Sequence, residues 1–511
     1  MKILDCTLRD GGYYTNWDFD AKLVDDYIAA CNNLPLDYLE VGYRSIPLNG
    51  YLGEYFYLPI YVMERLKKQT QKKLVVILNE KDIRPEHVAT LLEPCKGLID
   101  LVRIAIDPKY FERAIKLAKA VKSMGFEVGF NVMYMSTWKS QKGFLELLPE
   151  VKGIADYFYM VDSYGGVYPQ DVKDTIQLVK SYVPDLPLGF HGHNNMEMAL
   201  INTLTAIEGG CEIIDATFTG MGRGAGNLKT ELLLTALNAQ GLLDVDFNSL
   251  SKIVDSFTVL QKHYEWGANL PYMVSGAHSL PQKDVMDWVG KRYYSFNSII
   301  RALQNQAKGI EDNEFTNSWY TQLTSNEVLV VGGGPNVLMC KDAITAFLNN
   351  NKNVTVIHAS SKNALVFCKL ANKQIFCLVG NEGHRMEEVF KGELPKSAEC
   401  ILPPSPRKMG TYIPSSLKNV SYELDAISYS DKYQDSHCAI ALEIAHQLKA
   451  TQVYAVGFDG YSKGVMDEKA QELFAENSYL FSKFIEKTGV DIVSLNETSY
   501  DLTKKSIYSF V

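Results

Sequence analysis

Two histidines two residues apart are the clearest chemical feature of the sequence. His191 and His193 lie in GFHGHNN, at the end of an apolar run that is typical of a strand. Residues two apart on a strand face the same side, so both imidazoles are predicted to point in one direction. Two neutral imidazoles and one carboxylate suit a divalent metal with open positions for substrate. Asp10, in LDCTLRDGG after the first apolar run, is the predicted carboxylate.

Other polar residues follow successive apolar runs, and each has a structural alternative. Arg9 is suited to stabilise an enolate oxygen, or else forms an ion pair with Glu40 that only braces the fold. Arg103 either contacts substrate or pairs with Glu40 in the interior. Ser163 either holds a substrate carboxylate or belongs to a plain turn. Asn227 ends the glycine-rich segment GMGRGAGN, where the backbone can approach a ligand closely.

The elements that must position these residues alternate regularly between strand and helix. Eight β-rich runs are each followed by a helical pattern within about 240 residues, and this inventory predicts a TIM barrel. Catalytic groups of such barrels lie at the carboxyl ends of the strands. The predicted strands span residues 2–6, 37–42, 73–79, 99–105, 127–133, 156–161, 187–191 and 212–217.

A second α/β pattern begins with EVLVVGGGPN at residues 327–336. Further strands are predicted at 354–358, 375–380 and 452–457, which indicates a Rossmann-like α/β domain. The predicted division is a barrel over 1–244, a helical appendage and linker over 245–325, and the second domain over 326–511.

The ligand of this second domain is left open. The GGGP turn suggests a nucleotide or nucleotide-sugar ligand, although a purely structural turn produces the same pattern. His358, His384 and Asp459 lie near predicted strand ends and are candidates for lining a site.

Composition excludes several classes of protein. The chain has 511 residues, 46% of them hydrophobic and 22% charged, with a net charge of -9. This composition is typical of a folded globular protein, and the net negative charge predicts no nucleic-acid partner. The nine cysteines include no CxxC pair, which argues against a disulfide framework. Without a signal-peptide pattern or a long apolar run, we predict a cytoplasmic protein that does not enter membranes.

Five motifs in order resemble one known superfamily, the DRE-TIM metallolyases, also called HMGL-like. They are DCTLRDGG (5–12), LEVGYRS (39–45), VDSYGG (161–166), GFHGHNN (189–195) and GMGRGAGN (220–227). The pattern looks most like the 4-hydroxy-2-oxovalerate aldolases. This resemblance implies that Asp10, His191 and His193 bind a divalent metal, Mn²⁺ or Mg²⁺, joined in some relatives by the position of Asn227. It further implies that Arg9 stabilises an enolate and that Ser163 contacts substrate.

One position departs from that family. The aldolases carry a histidine base three residues after the aspartate, where this chain has Tyr13. A tyrosine hydroxyl keeps its proton at neutral pH and is a poor base. Either Tyr13 acts as an acid or hydrogen-bond donor, or metal-bound hydroxide or another side chain takes the proton. Arg9, Tyr13 and Glu40 form the predicted catalytic set.

The predicted function is therefore a divalent-metal-dependent aldolase, a carbon–carbon lyase that acts on a 2-oxo acid through a pyruvate-type enolate. Its partners are a small 2-oxo acid and an aldehyde, and a homo-oligomer is left open. Three alternatives remain at this point: a synthase that condenses an acyl-CoA with a 2-oxo acid, a non-haem iron oxygenase, and a non-catalytic barrel that scaffolds the C-terminal domain.

Overall fold

The structure is a computed structural model that describes residues 1–291, 296–312, 316–320, 324–391, 398–407, 411–461 and 468–511. These residues fall into two compact units, Met1–Asp287 and Trp288–Val511. Residues 313–315 and 321–323 of the predicted linker lie outside the described residues.

The first unit is the predicted TIM barrel. Eight parallel strands pair in chain order, and the last closes on the first. The strands are β1 (Lys2–Asp5), β2 (Tyr38–Tyr43), β3 (Lys73–Asn79), β4 (Leu101–Ile106), β5 (Glu127–Val132), β6 (Tyr157–Asp162), β7 (Leu188–Gly192) and β8 (Ile213–Ala216). The prediction of eight strands is confirmed, and each strand end lies within two residues of its predicted position.

The strands are buried on both faces, which explains their nearly continuous apolar sequences. One set of strand residues packs against the surrounding helices in the largest apolar cluster. The alternate residues, among them Leu4, Tyr38 and Val75, form a separate cluster of strand side chains that fills the barrel interior. Because apolar side chains occupy much of the interior, most polar site residues lie toward the carboxyl end of the barrel.

Twelve helices of the first unit surround the strands. They are α1 (Thr7–Thr15), α2 (Ala21–Asn33), α3 (Glu54–Tyr57), α4 (Ile60–Gln69), α5 (Pro85–Leu92), α6 (Phe111–Ser123), α7 (Lys142–Leu147), α8 (Pro169–Tyr182), α9 (Ala199–Glu208), α10 (Thr230–Ala239), α11 (Phe247–Tyr264) and α12 (Leu270–Ala277). Short 3-10 turns lie at Glu93–Cys95, Pro108–Tyr110, Met135–Ser140, Leu148–Val151 and Phe218–Gly220. A further helix, α13 (Gln282–Lys291), follows at the division between the units.

The helical stretch after the barrel is joined to the barrel's own loops. Trp266 Nε1 donates a hydrogen bond to the carbonyl of Thr219 at 3.0 Å. Asn195 Nδ2, after β7, donates to the carbonyl of Tyr272 and to Gln282 Oε1, both at 3.0 Å. Helices α11 and α12 therefore belong to the first unit as the structure describes it.

The second unit is built on a parallel sheet of nine described strands, as the Rossmann-like prediction requires. They are β9 (Asn317–Ser318), β10 (Glu327–Val331), β11 (Thr355–His358), β12 (Gln374–Cys377), β13 (Ala398–Leu402), β14 (Ser421–Glu423), β15 (Gln452–Val456), β16 (Ile492–Ser494) and β17 (Thr503–Lys504). The sequence predicted four of these strands and missed the others, which are mostly short.

The order of these strands reverses at β10. Going outward from β10, one side of the sheet runs through β11, β12, β13 and β14, and the other through β15, β16 and β17. The helices are α14 (Phe296–Lys308), α15 (Asn336–Met339), α16 (Lys341–Asn350), α17 (Glu382–Phe390), α18 (His437–Gln447) and α19 (Glu468–Thr488), with 3-10 turns at Ser361–Phe367, Ser415–Val420 and Ile507–Phe510. Apolar residues of α16 pack in one cluster with β10, and those of α18 and α19 pack in another. The sheet is thus doubly wound.

All nine cysteines carry free thiols. None of the helices in the described ranges is both long and apolar enough to cross a membrane.

Candidate active site

Three of the predicted ligands converge at the carboxyl end of the barrel. The nearest ligand atoms of Asp10, His191 and His193 all lie within 4.8 Å of one another, and the three residues are buried. His191 and His193 come from the end of β7. Asp10 lies in the first turn of α1, which begins directly after β1, so a helix and not the strand end carries it.

The second nitrogen of each imidazole is already bonded to protein. His191 Nδ1 donates to Asp215 Oδ2 at 2.8 Å, and His193 Nδ1 donates to the carbonyl of Asp162 at 2.7 Å. These bonds fix the tautomer that leaves each Nε2 with a lone pair, the arrangement usual for metal-binding histidines. Nε2 of His191 lies 3.6 Å from Asp10 Oδ2.

The charges of these groups suit a cation. Burial, and next the neighbouring His191, lower the pKa of His193 to about 3, so its ring is neutral at pH 7. Burial alone would raise the pKa of Asp10, but the charge of Arg9, the two neighbouring imidazoles and the hydrogen bond from Asn227 outweigh it and lower that pKa to about 2. A neutral imidazole and an ionised carboxylate are the forms that bind metal.

Asn227 completes the group. Its Nδ2 donates to Asp10 Oδ2 at 2.6 Å, and its backbone forms an isolated β-bridge with His193. Its buried Oδ1 has no hydrogen-bond partner among the described residues. An unused amide oxygen beside two unused imidazole nitrogens and a carboxylate fits a divalent cation.

A second set of three residues in the described chain, Cys6, His191 and Asp215, has similar spacing. It fits a metal less well, because burial raises the pKa of the Cys6 thiol well above its ordinary value. Asp215 Oδ2 is also held at 2.6 Å by Arg103 Nη2.

Arg9 lies beside the proposed ligands and keeps one free nitrogen. Its Nε donates to Glu40 Oε2 at 2.7 Å, and its Nη1 donates to Asp10. Its Nη2 is buried without a hydrogen-bond partner in the described part of the chain. Glu40 lies within β2 and is fully buried. Its hydrogen bond with Arg9 Nε therefore fixes the position of the Arg9 guanidinium.

Arg103 lies deeper than a substrate contact requires. It is fully buried within β4, and its Nη2 donates to Asn131 Oδ1 at 2.5 Å as well as to Asp215. Its Nη1 donates to Glu40 at 3.2 Å, and its guanidinium stacks 4.0 Å from the ring centre of Tyr159. These contacts favour the ion-paired alternative for Arg103.

Ser163 and Tyr13 lie in the loop and helix that follow β6 and β1. Ser163 Oγ accepts a hydrogen bond from the backbone N–H of Tyr134 at 2.8 Å, which leaves its own proton free to be donated. The Tyr13 hydroxyl lies 3.3 Å from that of Tyr43. The guanidinium of Arg223 lies 4.8 Å from the centre of the Tyr13 ring.

Sequence reasoning missed two residues that matter to this geometry. Asp215, which orients His191, is a lone acidic residue in the apolar strand β8, and that oddity was the available signal. Arg223 is the one basic residue inside GMGRGAGN.

The structure does not bring the three candidates of the second unit into one group. His358 is buried between Phe367 and Phe376, and its Nε2 is hydrogen-bonded to Gln374 Oε1 at 3.1 Å. His384 stacks on the ring of Tyr412. Asp459 Oδ2 accepts from the backbone N–H of Asn336 at 3.1 Å, which links the loops after β10 and β15.

Comparison with known proteins identifies the family of the first unit. The HMGL-like family model matches residues 95–257. A 4-hydroxy-2-oxovalerate aldolase of Pelotomaculum thermopropionicum is 33% identical over 274 residues, which span 51% of this chain and 76% of the relative. An oxaloacetate decarboxylase of Mycobacterium tuberculosis is 26% identical over 325 residues, 60% of this chain and 90% of the relative.

A solved structure gives a further comparison. The N-terminal domain of a Bacteroides vulgatus protein, for which aldolase activity is proposed, is 59% identical with a TM-score of 0.57. The match covers 59% of this chain and 100% of that one. By the family model, the aldolase relatives and the shared barrel, this chain belongs to the HMGL-like family of the DRE-TIM superfamily and is a metal-dependent lyase.

Proposed function

We propose that the barrel is an aldolase that cleaves a 4-hydroxy-2-oxo acid to pyruvate, or a close 2-oxo acid, and an aldehyde, with Mn²⁺ or Mg²⁺ as its metal. The observation that carries this proposal is the buried group of Asp10, His191 and His193 beside the unused Nη2 of Arg9. The named relatives, mostly 4-hydroxy-2-oxovalerate aldolases, support the same chemistry.

Each residue has a separate task in this cleavage. A divalent cation held by Asp10, His191, His193 and Asn227 would polarise the 2-oxo group and lower the cost of the enolate. The C3–C4 bond breaks, its electron pair becomes the enolate, and the 4-hydroxyl loses its proton as the aldehyde forms. Arg9 Nη2 donates a hydrogen bond to the enolate oxygen, where negative charge develops. The Ser163 hydroxyl donates to the substrate carboxylate.

We assign to Tyr13 the protonation of the enolate carbon C3, the step that completes pyruvate. Its hydroxyl is hydrogen-bonded to Tyr43 at the mouth of the barrel, where it can donate to C3 of the enolate. In this role the residue acts as an acid, which suits a tyrosine because phenols are ordinarily protonated at neutral pH. The proton of the 4-hydroxyl passes to solvent water as the aldehyde forms, and Tyr13 regains from the same solvent the proton that it donates to C3.

Decarboxylation of a 2-oxo diacid such as oxaloacetate is the second candidate. It breaks a bond to a carboxylate, releases CO₂ and leaves the same enolate, but it needs no base to take a hydroxyl proton. Tyr13 at the place of the aldolase histidine favours this reaction, and one relative is an oxaloacetate decarboxylase.

Both reactions can be followed in one assay. The purified full-length protein, stripped of metal and reloaded with Mn²⁺ or Mg²⁺, would be given 4-hydroxy-2-oxovalerate or oxaloacetate, with pyruvate detected by lactate dehydrogenase. We expect metal-dependent pyruvate release that Asp10→Asn and His191→Ala abolish. Asp26→Asn and His263→Ala, at exposed or partly exposed positions on α2 and α11, serve as matched controls. Full activity in the first two variants would overturn the metal site, and no release above the uncatalysed rate would overturn the function.

The second unit is proposed to bind a nucleotide or nucleotide sugar at the carboxyl ends of β10 and β15. Ligands of doubly wound sheets bind where the strand order reverses, and the glycine-rich turns 332–334 and 457–460 follow these two strands. Calorimetric titration of the full chain with ATP, CTP and UDP-glucose should show saturable binding. Gly333→Val should weaken it, because a side chain there would fill the cleft toward Ser360 without meeting backbone. The absence of heat with every ligand would contradict the proposal.

A further inference from the structure

Arg223 is a cation at the mouth of the barrel to which the described chain supplies no counter-ion. It lies in the loop after β8, and its Nε is buried without a hydrogen-bond partner among the described residues. The other two guanidiniums of this region are paired: Arg9 with Glu40 at 2.7 Å and Arg103 with Asp215 at 2.6 Å. No carboxylate of the described residues lies within salt-bridge distance of Arg223, whose close contact is the ring of Tyr13.

The charge of Arg223 is close enough to the proposed metal ligands to interact with them electrostatically. Arg223 contributes to lowering the pKa of His193 and interacts electrostatically with Asp10. It also acts on the hydroxyls of Tyr43 and Tyr134. The guanidinium thus lies near three tyrosines and near the proposed metal ligands Asp10 and His193.

A partly buried charge without a partner is unfavourable unless a ligand supplies the opposite charge. The guanidinium fork matches carboxylate and phosphate oxygens, and bonds of this kind are strong because both partners are charged. In the proposed function, the carboxylate next to the 2-oxo group is bound by Ser163 near the proposed metal ligands. Arg223 is therefore available for a second anionic group.

We infer that Arg223 binds a carboxylate or phosphate at the far end of the substrate, on the part that leaves as the aldehyde. The inference rests on the proposed function and narrows its substrate class to 4-hydroxy-2-oxo acids that carry a second, distal anion. The hydroxyls of Tyr43 and Tyr134, with which Arg223 interacts electrostatically, supply further hydrogen bonds to that group, whereas the Tyr13 hydroxyl keeps its role at C3.

Matched pairs of substrates test the inference. One pair is 4-hydroxy-2-oxoheptanedioate and 4-hydroxy-2-oxoheptanoate, which differ in the distal carboxylate. The other is a six-carbon 4-hydroxy-2-oxo acid with a terminal phosphate and its dephosphorylated form. The metal-loaded full-length enzyme should prefer at least one anionic member by about 10- to 100-fold in kcat/KM, and the pair that shows the preference tells carboxylate from phosphate.

Variants assign the preference to Arg223. Arg223→Gln should bring the kcat/KM values of the two members of each pair to within about threefold of each other, and Arg223→Lys should restore part of the preference. Tyr14→Phe is the control for the loop, because the Tyr14 hydroxyl lies 3.3 Å from the carbonyl of Gly224 and carries no charge. Equal losses on all substrates in Arg223→Gln would mean that Arg223 binds the shared 2-oxo acid end, and would overturn the inference.

A binding measurement separates this inference from the proposed function. The analogues 2-oxoheptanedioate and 2-oxoheptanoate lack the 4-hydroxyl and cannot be cleaved. Calorimetry on the metal-loaded enzyme should show the diacid binding at least about tenfold more tightly, with the difference lost in Arg223→Gln. If no substrate releases pyruvate but this difference appears, the proposed function fails and the Arg223 site stands. Equal binding of the two analogues would overturn the Arg223 site whatever the activity.

Discussion

The bond between Asp215 and His191 decides which imidazole nitrogen of His191 faces the other proposed metal ligands, Asp10 and His193. Asp215→Asn weakens that bond and removes the charge that makes the ring a better ligand. We expect the Mn²⁺ affinity to fall by about 10- to 100-fold, with pyruvate release partly restored at high Mn²⁺. Asn131→Ala is the control, because it removes another acceptor of Arg103 without touching His191. Unchanged Mn²⁺ affinity in Asp215→Asn, measured by titration, would contradict the role of Asp215.

Arg103 joins two carboxylates in the barrel interior, so its removal should act on stability. Arg103→Met removes one cationic partner from each of Glu40 and Asp215, which keep Arg9 and His191, respectively. Breaking a buried charge pair in this way costs about 3 to 5 kcal/mol. Urea unfolding of the metal-free protein measures the loss. A change below about 1 kcal/mol would show that Arg103 is not part of the structural network.

At the scale of elements, Glu382 joins the starts of α17 and α18 to the turn after β11. It accepts from the backbone N–H of Ser361 at 2.7 Å and from Arg385 Nη1 at 3.0 Å, and it lies 3.5 Å from His437 Nε2. Burial alone would raise the pKa of Glu382, but His437, Arg385 and Ser361 lower it from 4.5 to about 2. Ionised Glu382 therefore ties three elements together.

This arrangement predicts a pH-dependent stability. An acid whose pKa is lowered in the folded state stabilises it above the unfolded pKa, and that contribution disappears as the pH falls toward the folded pKa. At about pH 6 we expect Glu382→Gln to cost on the order of 2 to 3 kcal/mol of unfolding free energy. At about pH 3 the difference from wild type should be less than half as large. A difference independent of pH in urea unfolding would refute the assignment.

At the scale of the whole molecule, the first unit ends later than the barrel sequence alone suggests. The predicted barrel boundary at residue 244 would remove α11 and α12, which bond the loops after β7 and β8 through Trp266 and Tyr272. The compact unit instead runs to Asp287.

Two truncated chains compare these boundaries. A chain of residues 1–287 should fold cooperatively and bind Mn²⁺ like the full protein, because it keeps the contacts of α11 and α12. A chain of residues 1–244 should unfold at a lower temperature and bind Mn²⁺ weakly, because Asn195 and Thr219 lose partners near the ligands. Circular dichroism and Mn²⁺ titration measure both properties. Equal stability of the two chains would favour the shorter domain.

Local patterns in the sequence determined the barrel, the doubly wound second sheet and the residue types of the proposed metal ligands. Strand and helix periodicities are local properties, and the spacing of His191 in β7 and His193 directly after it places both on one side of the chain. Short edge strands such as β9 and β17 carry too few residues for a periodicity, so they were missed.

Tertiary structure alone decided which side chains meet. Asp215 reaches His191, Arg103 is enclosed by Glu40 and Asp215, and Arg223 meets Tyr13 although 210 positions separate them. Such meetings depend on the register of strands around the closed barrel and on the direction of each loop, which spacing along the chain does not encode. The chemical groups are thus determined by the local sequence, whereas their pairing arises only once the barrel has closed. The same holds for the charge of Arg223, which has no ion-pair partner among the described residues.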